Sequence, residues 1–134
     1  MKVVLDTNVL VSGLINPDGF PSKVINLLLN GKIVILYDNR IIEEYSNVLR
    51  RKKFMFKNEW IEPLLDYIKN TGEYVAADPI TNKFQDEEDK KFYEVAISGK
   101  AKYIITGNRA HFPNSKIIKN PKEFIELYLS SSMP

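Results

Sequence analysis

Four short apolar runs alternate with segments of helical character, and this alternation constrains the fold more than any other feature of the chain. The runs cover residues 3–5, 33–37, 73–77 and 103–106. The run IVILY at 33–37 is rich in β-branched residues, which is typical of a strand buried on both faces. Strands that alternate with helices predict a parallel sheet with helices on both of its faces.

Capping and breaking residues predict where the helices lie. The predicted helices cover about residues 23–30, 41–53, 59–70, 86–98 and 121–129. Gly31 and Gly99 are expected to end the first and fourth, Pro121 stands near the start of the last, and Pro63 should kink or restart the third. The stretches 16–22 and 78–85 are predicted loops, and 116–118 is a candidate edge strand.

The size and composition predict one compact domain. The chain has 134 residues, of which 44% are apolar and 27% charged, enough for a single hydrophobic core. We expect one domain over residues 1–129 and a short flexible tail over 130–134. No apolar run approaches the ~18 residues that span a bilayer, and Asp6 interrupts the early apolar stretch. The sequence therefore predicts a cytoplasmic protein with no signal peptide and no membrane partner.

The ionisable composition excludes several kinds of site. The chain has no cysteine and one histidine, which rules out disulfides, thiolate metal centres and zinc sites built from several histidines. The net charge is +2 and the pI is about 8.7. That mildly basic balance permits a nucleic-acid partner without arguing strongly for one.

Acidic and amide side chains stand where the predicted strands give way to helices. They are Asp6 after the first strand, Glu43 and Glu44 after the second, Asp86 and Asp89 after the third, and Asn108 after the fourth. Because the carboxyl ends of parallel strands share one edge of the sheet, these side chains are expected to converge there.

Helical phase selects which of these carboxylates face inward. In the predicted helix at 41–53, Glu44 lies at the margin of the apolar stripe that contains Ile41 and Val48, whereas Glu43 points nearly away from it. Asp89 shares a face with Phe92 and Ala96, and a carboxylate on a core face must be neutral, paired or bound to a cation. Asp86, one turn earlier, is expected to cap the helix and could also reach the site.

Clustered carboxylates without sulfur or several imidazoles favour Mg²⁺ or Mn²⁺. Such an ion suits phosphodiester hydrolysis, because it activates water and neutralises charge on the phosphorus centre.

Each residue also has an ordinary interpretation when taken alone. Asp6 could be a turn residue, Glu44 a first-turn glutamate favoured by the helix dipole, and Asn108 part of a turn. Their joint position at one sheet edge favours a site.

Three motifs resemble those of the PIN-domain nucleases. They are VVLDTNVLVSGL at 3–14, IIEEYSNVLRRKKF at 41–54 and DEEDKKFYEVAISGKAKYIITGNRAHFP at 86–113. The likeness covers about residues 1–128 and is greatest to the VapC-related branch, which contains toxin components of toxin–antitoxin pairs. It implies a three-layer α/β/α sandwich with a central parallel sheet and a metal-dependent endoribonuclease activity.

The resemblance also implies roles for individual residues. Asp6, Glu44 and Asp89 match the family's three acids, with the metal on Asp6 and Asp89 and Glu44 bound through water or a second ion. Asn108 stands where many relatives carry a fourth aspartate, which reduces the negative charge of the site. The supporting residues are Asn8, Asp86 and Thr106, and Asp86 could supply the missing charge. The implied partners are RNA, a cognate antitoxin protein and a second copy of the chain.

Basic and aromatic residues outside the acidic set allow two interpretations. Four consecutive basic residues include Arg50, Arg51 and Lys52. Their charges could remain solvated and interact favourably with the dipole at the helix C-terminus, or they could contact RNA phosphates. Arg109, next to Asn108, is better placed to touch RNA. A lone loop histidine such as His111 is more often structural, and Trp60 is expected in the core or at a dimer face.

Two other functions compete with the nuclease. A phosphatase of the haloacid-dehalogenase type also places an aspartate after a buried strand, but it needs a second acid where this chain has Asn8. A PIN-like module that binds RNA or a protein without cutting is the stronger rival. The replacement of the fourth acid by Asn108 supports that rival, and the three retained acids oppose it.

Overall fold

The computed structural model describes residues 1–132 and contains a five-stranded parallel sheet. The strands are β1 (Lys2–Leu5), β2 (Val34–Tyr37), β3 (Glu73–Tyr74), β4 (Tyr103–Ile105) and β5 (Ile118–Lys119). Their order across the sheet is β3-β2-β1-β4-β5, and each neighbouring pair is parallel. The chain therefore leaves the central strand β1 in one direction toward β2 and returns on its other side at β4.

Six α-helices accompany the sheet within the described residues. They are α1 (Thr7–Ile15), α2 (Phe20–Leu29), α3 (Asn39–Leu49), α4 (Asn58–Thr71), α5 (Lys90–Gly99) and α6 (Pro121–Ser132). Sheet and helices form a three-layer α/β/α sandwich with a central parallel sheet, which confirms the predicted fold class. Among residues 1–132, no helix combines the length and the apolar character needed to cross a membrane.

The apolar runs at 3–5, 33–37 and 103–106 form the centre of the core, as their composition predicts. The run at 73–77 does not: its strand ends at Tyr74, and only Val75 is buried. Val3, Val4, Leu5, Ile35 and Ile104 are each 0% exposed. Neighbouring strands cannot cover the two faces of a sheet, so helices must cover each face to bury these side chains. The layers fix the ends of β1 and β4 rigidly, which matters because the candidate site lies just beyond those ends.

The first two helices differ from the prediction. Helix α1 occupies a stretch for which no helix was predicted, and its N-cap is Asp6, whose side chain accepts from the Asn8 N–H. Helix α2 begins at Phe20, inside the predicted loop at 16–22, because Pro21 sits in its first turn, where a missing N–H costs nothing.

Other boundaries differ less. Helix α4 runs through Pro63 without a restart. The predicted helix at 86–98 begins as a 3₁₀ turn over Glu87–Asp89 before α5 starts. The residues at 130–132, predicted as part of a flexible tail, belong to α6, and the remainder of that tail, 133–134, lies outside the described residues.

Candidate active site

Asp6 lies buried at the carboxyl end of the central strand. It is 3% exposed, and its backbone N–H donates to the carbonyl of Ile105 at 3.0 Å, which continues the β1–β4 pairing by one residue. The hydroxyl of Thr106, itself 0% exposed, donates to Asp6 Oδ2 at 2.7 Å. Asp6 therefore stands where the chain departs to either side of the sheet, the usual position of a ligand crevice in such folds.

Glu44 enters the same region from α3. The hydroxyl of Thr7 donates to Glu44 Oε2, and Lys91 Nζ lies 2.7 Å from Glu44 Oε1. The Glu44 side chain is 24% exposed, while the neighbouring Glu43 is exposed. Helix α3 thus presents Glu44 to the site and Glu43 to solvent.

Asp89 lies at the start of α5 with one oxygen left without a hydrogen bond. Its side chain is 17% exposed, but Oδ2 is fully buried and receives no hydrogen bond. His111 Nδ1 lies 3.3 Å from this oxygen without the alignment of a hydrogen bond. A buried, unpartnered carboxylate oxygen is costly unless a cation or a proton compensates it.

The electrostatics of the cluster favour compensation by a positive charge. Burial raises the pKa of Asp6, the Thr106 hydrogen bond opposes that shift, and the charges of Asp89 and Glu44 add to it. Burial also raises the pKa of Asp89, the nearby Asp86 charge raises it further, and His111 opposes the shift. The carboxylates are thus close enough to repel one another in the folded protein.

The supporting residues predicted from the sequence fall into two groups. Thr106 contacts Asp6 directly, and Asp86 caps the 3₁₀ turn by accepting from the Glu88 N–H at 2.9 Å. Asn8 is exposed and touches Asp6 only through its backbone N–H. Asn108 is also exposed, its backbone N–H donates to Thr106 Oγ1 at 3.0 Å, and its side chain makes no hydrogen bond within residues 1–132.

Comparison with known proteins decides the family. The family model for the PIN domain matches residues 2–110. An uncharacterized protein of Methanocaldococcus jannaschii is 33% identical over 141 residues, covering 94% of this chain and 90% of that protein. The chain belongs to the PIN-domain family. PIN domains are generally nucleases, that is hydrolases, and they typically use divalent metal ions.

The residues of this PIN domain fit one hard divalent cation. No three Asp, Glu or His side chains within residues 1–132 form a ready-made metal site. Asp6 and Asp89, however, offer carboxylate oxygens of raised pKa, one of them buried and unpartnered. Mg²⁺ binds through one or two carboxylates and keeps several waters, so these two residues suffice as its protein ligands.

The cleft of this PIN domain contains cations that sequence reasoning missed. It is an open cleft of about 800 Å³ lined by eight acidic and four basic residues. Lys91 is 7% exposed and contacts Glu44. Helical phase places Lys91 nearly opposite Asp89 on the helix, so the test that selected Asp89 gives no signal for Lys91.

A second unpredicted network closes one side of the cleft. Arg40 contacts Asp38 Oδ2 at 2.7 Å and Glu94 Oε1 at 2.8 Å. The other oxygen of Glu94 accepts from the Ile80 N–H at 3.0 Å, which ties the loop before Asp86 to α5. No sequence pattern signals this network, because its members come from three separate segments.

The predicted RNA contacts are not equally available in the PIN domain. Arg50 pairs with Glu62 and donates to Asn58 at 2.7 Å, joining α3 to α4. Arg109 pairs with Glu123 on α6 at 2.8 Å. Arg51 is exposed and lines the acidic cleft, and Lys52 is exposed in the 3₁₀ turn that follows.

Proposed function

We propose that this PIN domain is an endoribonuclease that depends on Mg²⁺ or Mn²⁺. The observation that carries the proposal is the buried, unpartnered Asp89 Oδ2 in the same cleft as the buried Asp6, both with pKa values raised by burial and by neighbouring carboxylates. A site of this kind is poorly compensated without a cation. The family's hydrolytic chemistry supplies the rest of the assignment.

Each side chain has a defined task in this proposal. A bound divalent ion would supply an activated water and neutralise charge on the phosphate. Asp6, oriented by Thr106, and Asp89 would hold the ion. Glu44, fixed by Thr7 and Lys91, would accept a hydrogen bond from the attacking water, and Arg51 at the edge of the cleft would contact the RNA backbone.

The experiment is cleavage of a mixed RNA pool by the wild type, Asp6→Asn and Asp89→Asn, in Mg²⁺, Mn²⁺ or EDTA. We expect metal-dependent cleavage by the wild type and a loss of at least a hundredfold in both variants. Asp66→Asn is the matched control, since Asp66 is exposed on α4 and lies outside the cleft. Cleavage that persists in EDTA or in both variants would contradict the proposal.

A more specific proposal is that the chain is the toxin of a toxin–antitoxin pair acting on cytoplasmic RNA. Its support is the motif resemblance to the VapC-related branch, and it implies a cognate antitoxin and allows a homodimer. Induced expression of the wild type should arrest growth, while Asp6→Asn at equal abundance should not. Normal growth with active, soluble enzyme would leave a nuclease that is not a toxin.

A module that binds RNA or a protein without cutting is the second candidate. Two observations favour it: Asn108 carries no charge at the fourth position, and Glu44 is already neutralised by Lys91. The discriminating result is tight, salt-dependent RNA binding with no cleavage in any metal.

A further inference from the structure

Lys91 is a buried cation inside the acidic cleft. Its side chain is 8% exposed, and Nζ lies 2.7 Å from Glu44 Oε1, 2.6 Å from the Glu88 carbonyl and 3.1 Å from Glu88 Oε2. An ammonium removed from water to this extent needs such partners, since burial otherwise favours its neutral form. Three oxygen contacts in a small space resemble the environment that a metal ion would need.

The carboxylates of the cleft differ in how far their own protein satisfies them. Both oxygens of Glu44 are engaged, Oε1 by Lys91 and Oε2 by the Thr7 hydroxyl. Asp89 Oδ2 receives no hydrogen bond, and Asp6 receives one good side-chain hydrogen bond, from Thr106. Glu44 therefore has a fixed counter-charge, whereas Asp6 has no paired cation among the described residues and Asp89 has only the imidazole of His111, 3.3 Å from Oδ2.

We propose that the Lys91 ammonium occupies the second cation position of this site, so that the protein binds a single divalent ion, on Asp6 and Asp89. This inference rests on the proposed metal-dependent function and deepens it. Glu44, held by Lys91, then contacts the attacking water but takes no direct part in metal binding. The lack of a ready-made set of three ligands among residues 1–132 agrees with this division.

The neighbouring lysine provides a matched comparison. Lys90 also lines the cleft, but its side chain is 25% exposed and its ion pair is with Glu87, at 3.8 Å. Replacing either lysine removes one positive charge from the cleft. Only replacement of Lys91 leaves Glu44 without its cation, so the two variants separate a general charge effect from a vacated cation position.

The experiment counts the Mn²⁺ ions bound per chain by isothermal titration calorimetry, with electron paramagnetic resonance of free Mn²⁺ as a second count. We expect one ion on the wild type, two on Lys91→Met, and one on Lys90→Met and on Lys91→Arg. Adding Glu44→Gln to Lys91→Met should return the count to one, because the vacated position then lacks its carboxylate.

Every outcome of this count is informative. Two ions on the wild type, or one ion on folded Lys91→Met, would overturn the role of Lys91 while leaving metal dependence intact. No ion on the wild type would overturn the proposed metal-dependent function itself. If circular dichroism shows that Lys91→Met does not fold, Lys91→Gln replaces it, since its amide can still hydrogen-bond the Glu88 carbonyl while removing the charge.

Discussion

At the scale of single residues, Asp6 shows the conflict between stability and its proposed metal-binding role. Its pKa is raised by burial and by the charges of Asp89 and Glu44, so its ionised form is disfavoured in the metal-free fold. Replacement by asparagine keeps an acceptor for the Thr106 hydroxyl and a good N-cap for α1 while removing the charge.

We therefore predict that Asp6→Asn makes the metal-free protein more stable at pH 7, by about 0.5–2 kcal/mol. Urea denaturation in EDTA measures the change in the free energy of unfolding. The exposed control Asp66→Asn should stay within about 0.5 kcal/mol of the wild type. A less stable Asp6→Asn would mean that the Asp6 anion is already compensated within the fold.

The residues of the candidate site were predictable to different degrees, for physical reasons. Asp6 directly follows a strand and Glu44 has a definite helical phase, so local sequence indicates where they point. The contact between Lys91 and Glu44 joins two helices far apart in the chain. Nothing local to Lys91 shows that an acid from α3 lies 2.7 Å from its ammonium.

At the scale of secondary structure elements, the close contact between α1 and α2 depends on Gly13. A Cβ built on Gly13 would lie 2.5 Å from Ile25 Cγ1 and 2.7 Å from the Pro21 carbonyl oxygen. The oxygen belongs to the backbone, so a side chain at 13 forces the two helices apart. Because α1 begins directly after Asp6, its displacement would also disturb the site.

We predict that Gly13→Ala lowers the free energy of unfolding by about 1–3 kcal/mol, despite the better helix propensity of alanine. Chemical denaturation provides the value, and Ser12→Ala, an exposed neighbour on the same helix, is the control. An equal or higher stability of Gly13→Ala would show that the helix pair can separate freely at this point.

The elements that sequence reasoning missed share a common cause. The β-branched residues of α1 weaken a helix signal, and the Gly and Pro around residue 20 signal a turn as readily as a helix start. In the folded protein, Asp6 caps α1 and the contact with α2 buries it. Tertiary packing therefore determines these helices, whereas the buried strands β1, β2 and β4 were evident from their apolar runs.

At the scale of the whole molecule, the order of the strands converts scattered acids into one site. The alternation of strands and helices predicts a parallel sheet, but it does not predict that β1 is central with β2 and β4 beside it. That order brings the segments after all three strands together. The proximity of Asp6 to Glu44 and Thr106 follows from this topology.

The proximity of these carboxylates predicts how metal binding and pH together affect stability. The pKa values of Asp6 and Asp89 are raised in the metal-free fold. A carboxyl group whose pKa is higher in the folded protein stabilises the fold fully when pH is below its pKa in the unfolded chain, about 4. This stabilisation is lost as pH rises through the higher pKa of the folded protein. A divalent ion that binds the ionised carboxylates competes with these protons.

We therefore predict that the stabilisation by Mn²⁺, taken as the Tm in Mn²⁺ minus the Tm in EDTA, is near zero at about pH 4 and increases toward pH 7. At a hundredfold excess of Mn²⁺ over Kd, the free energy of unfolding should increase by about 2.7 kcal/mol. Taking this difference cancels the pH dependence contributed by carboxylates that do not bind metal. Glu123 is one of them, and its pKa is lowered by the Asn120 N–H and by Arg109. Asp6→Asn should show almost no Mn²⁺ effect at any pH. An equal Mn²⁺ effect in that variant would place the ion elsewhere on the protein, because a site on Asp6 and Asp89 cannot keep its affinity when one of its two charges is gone.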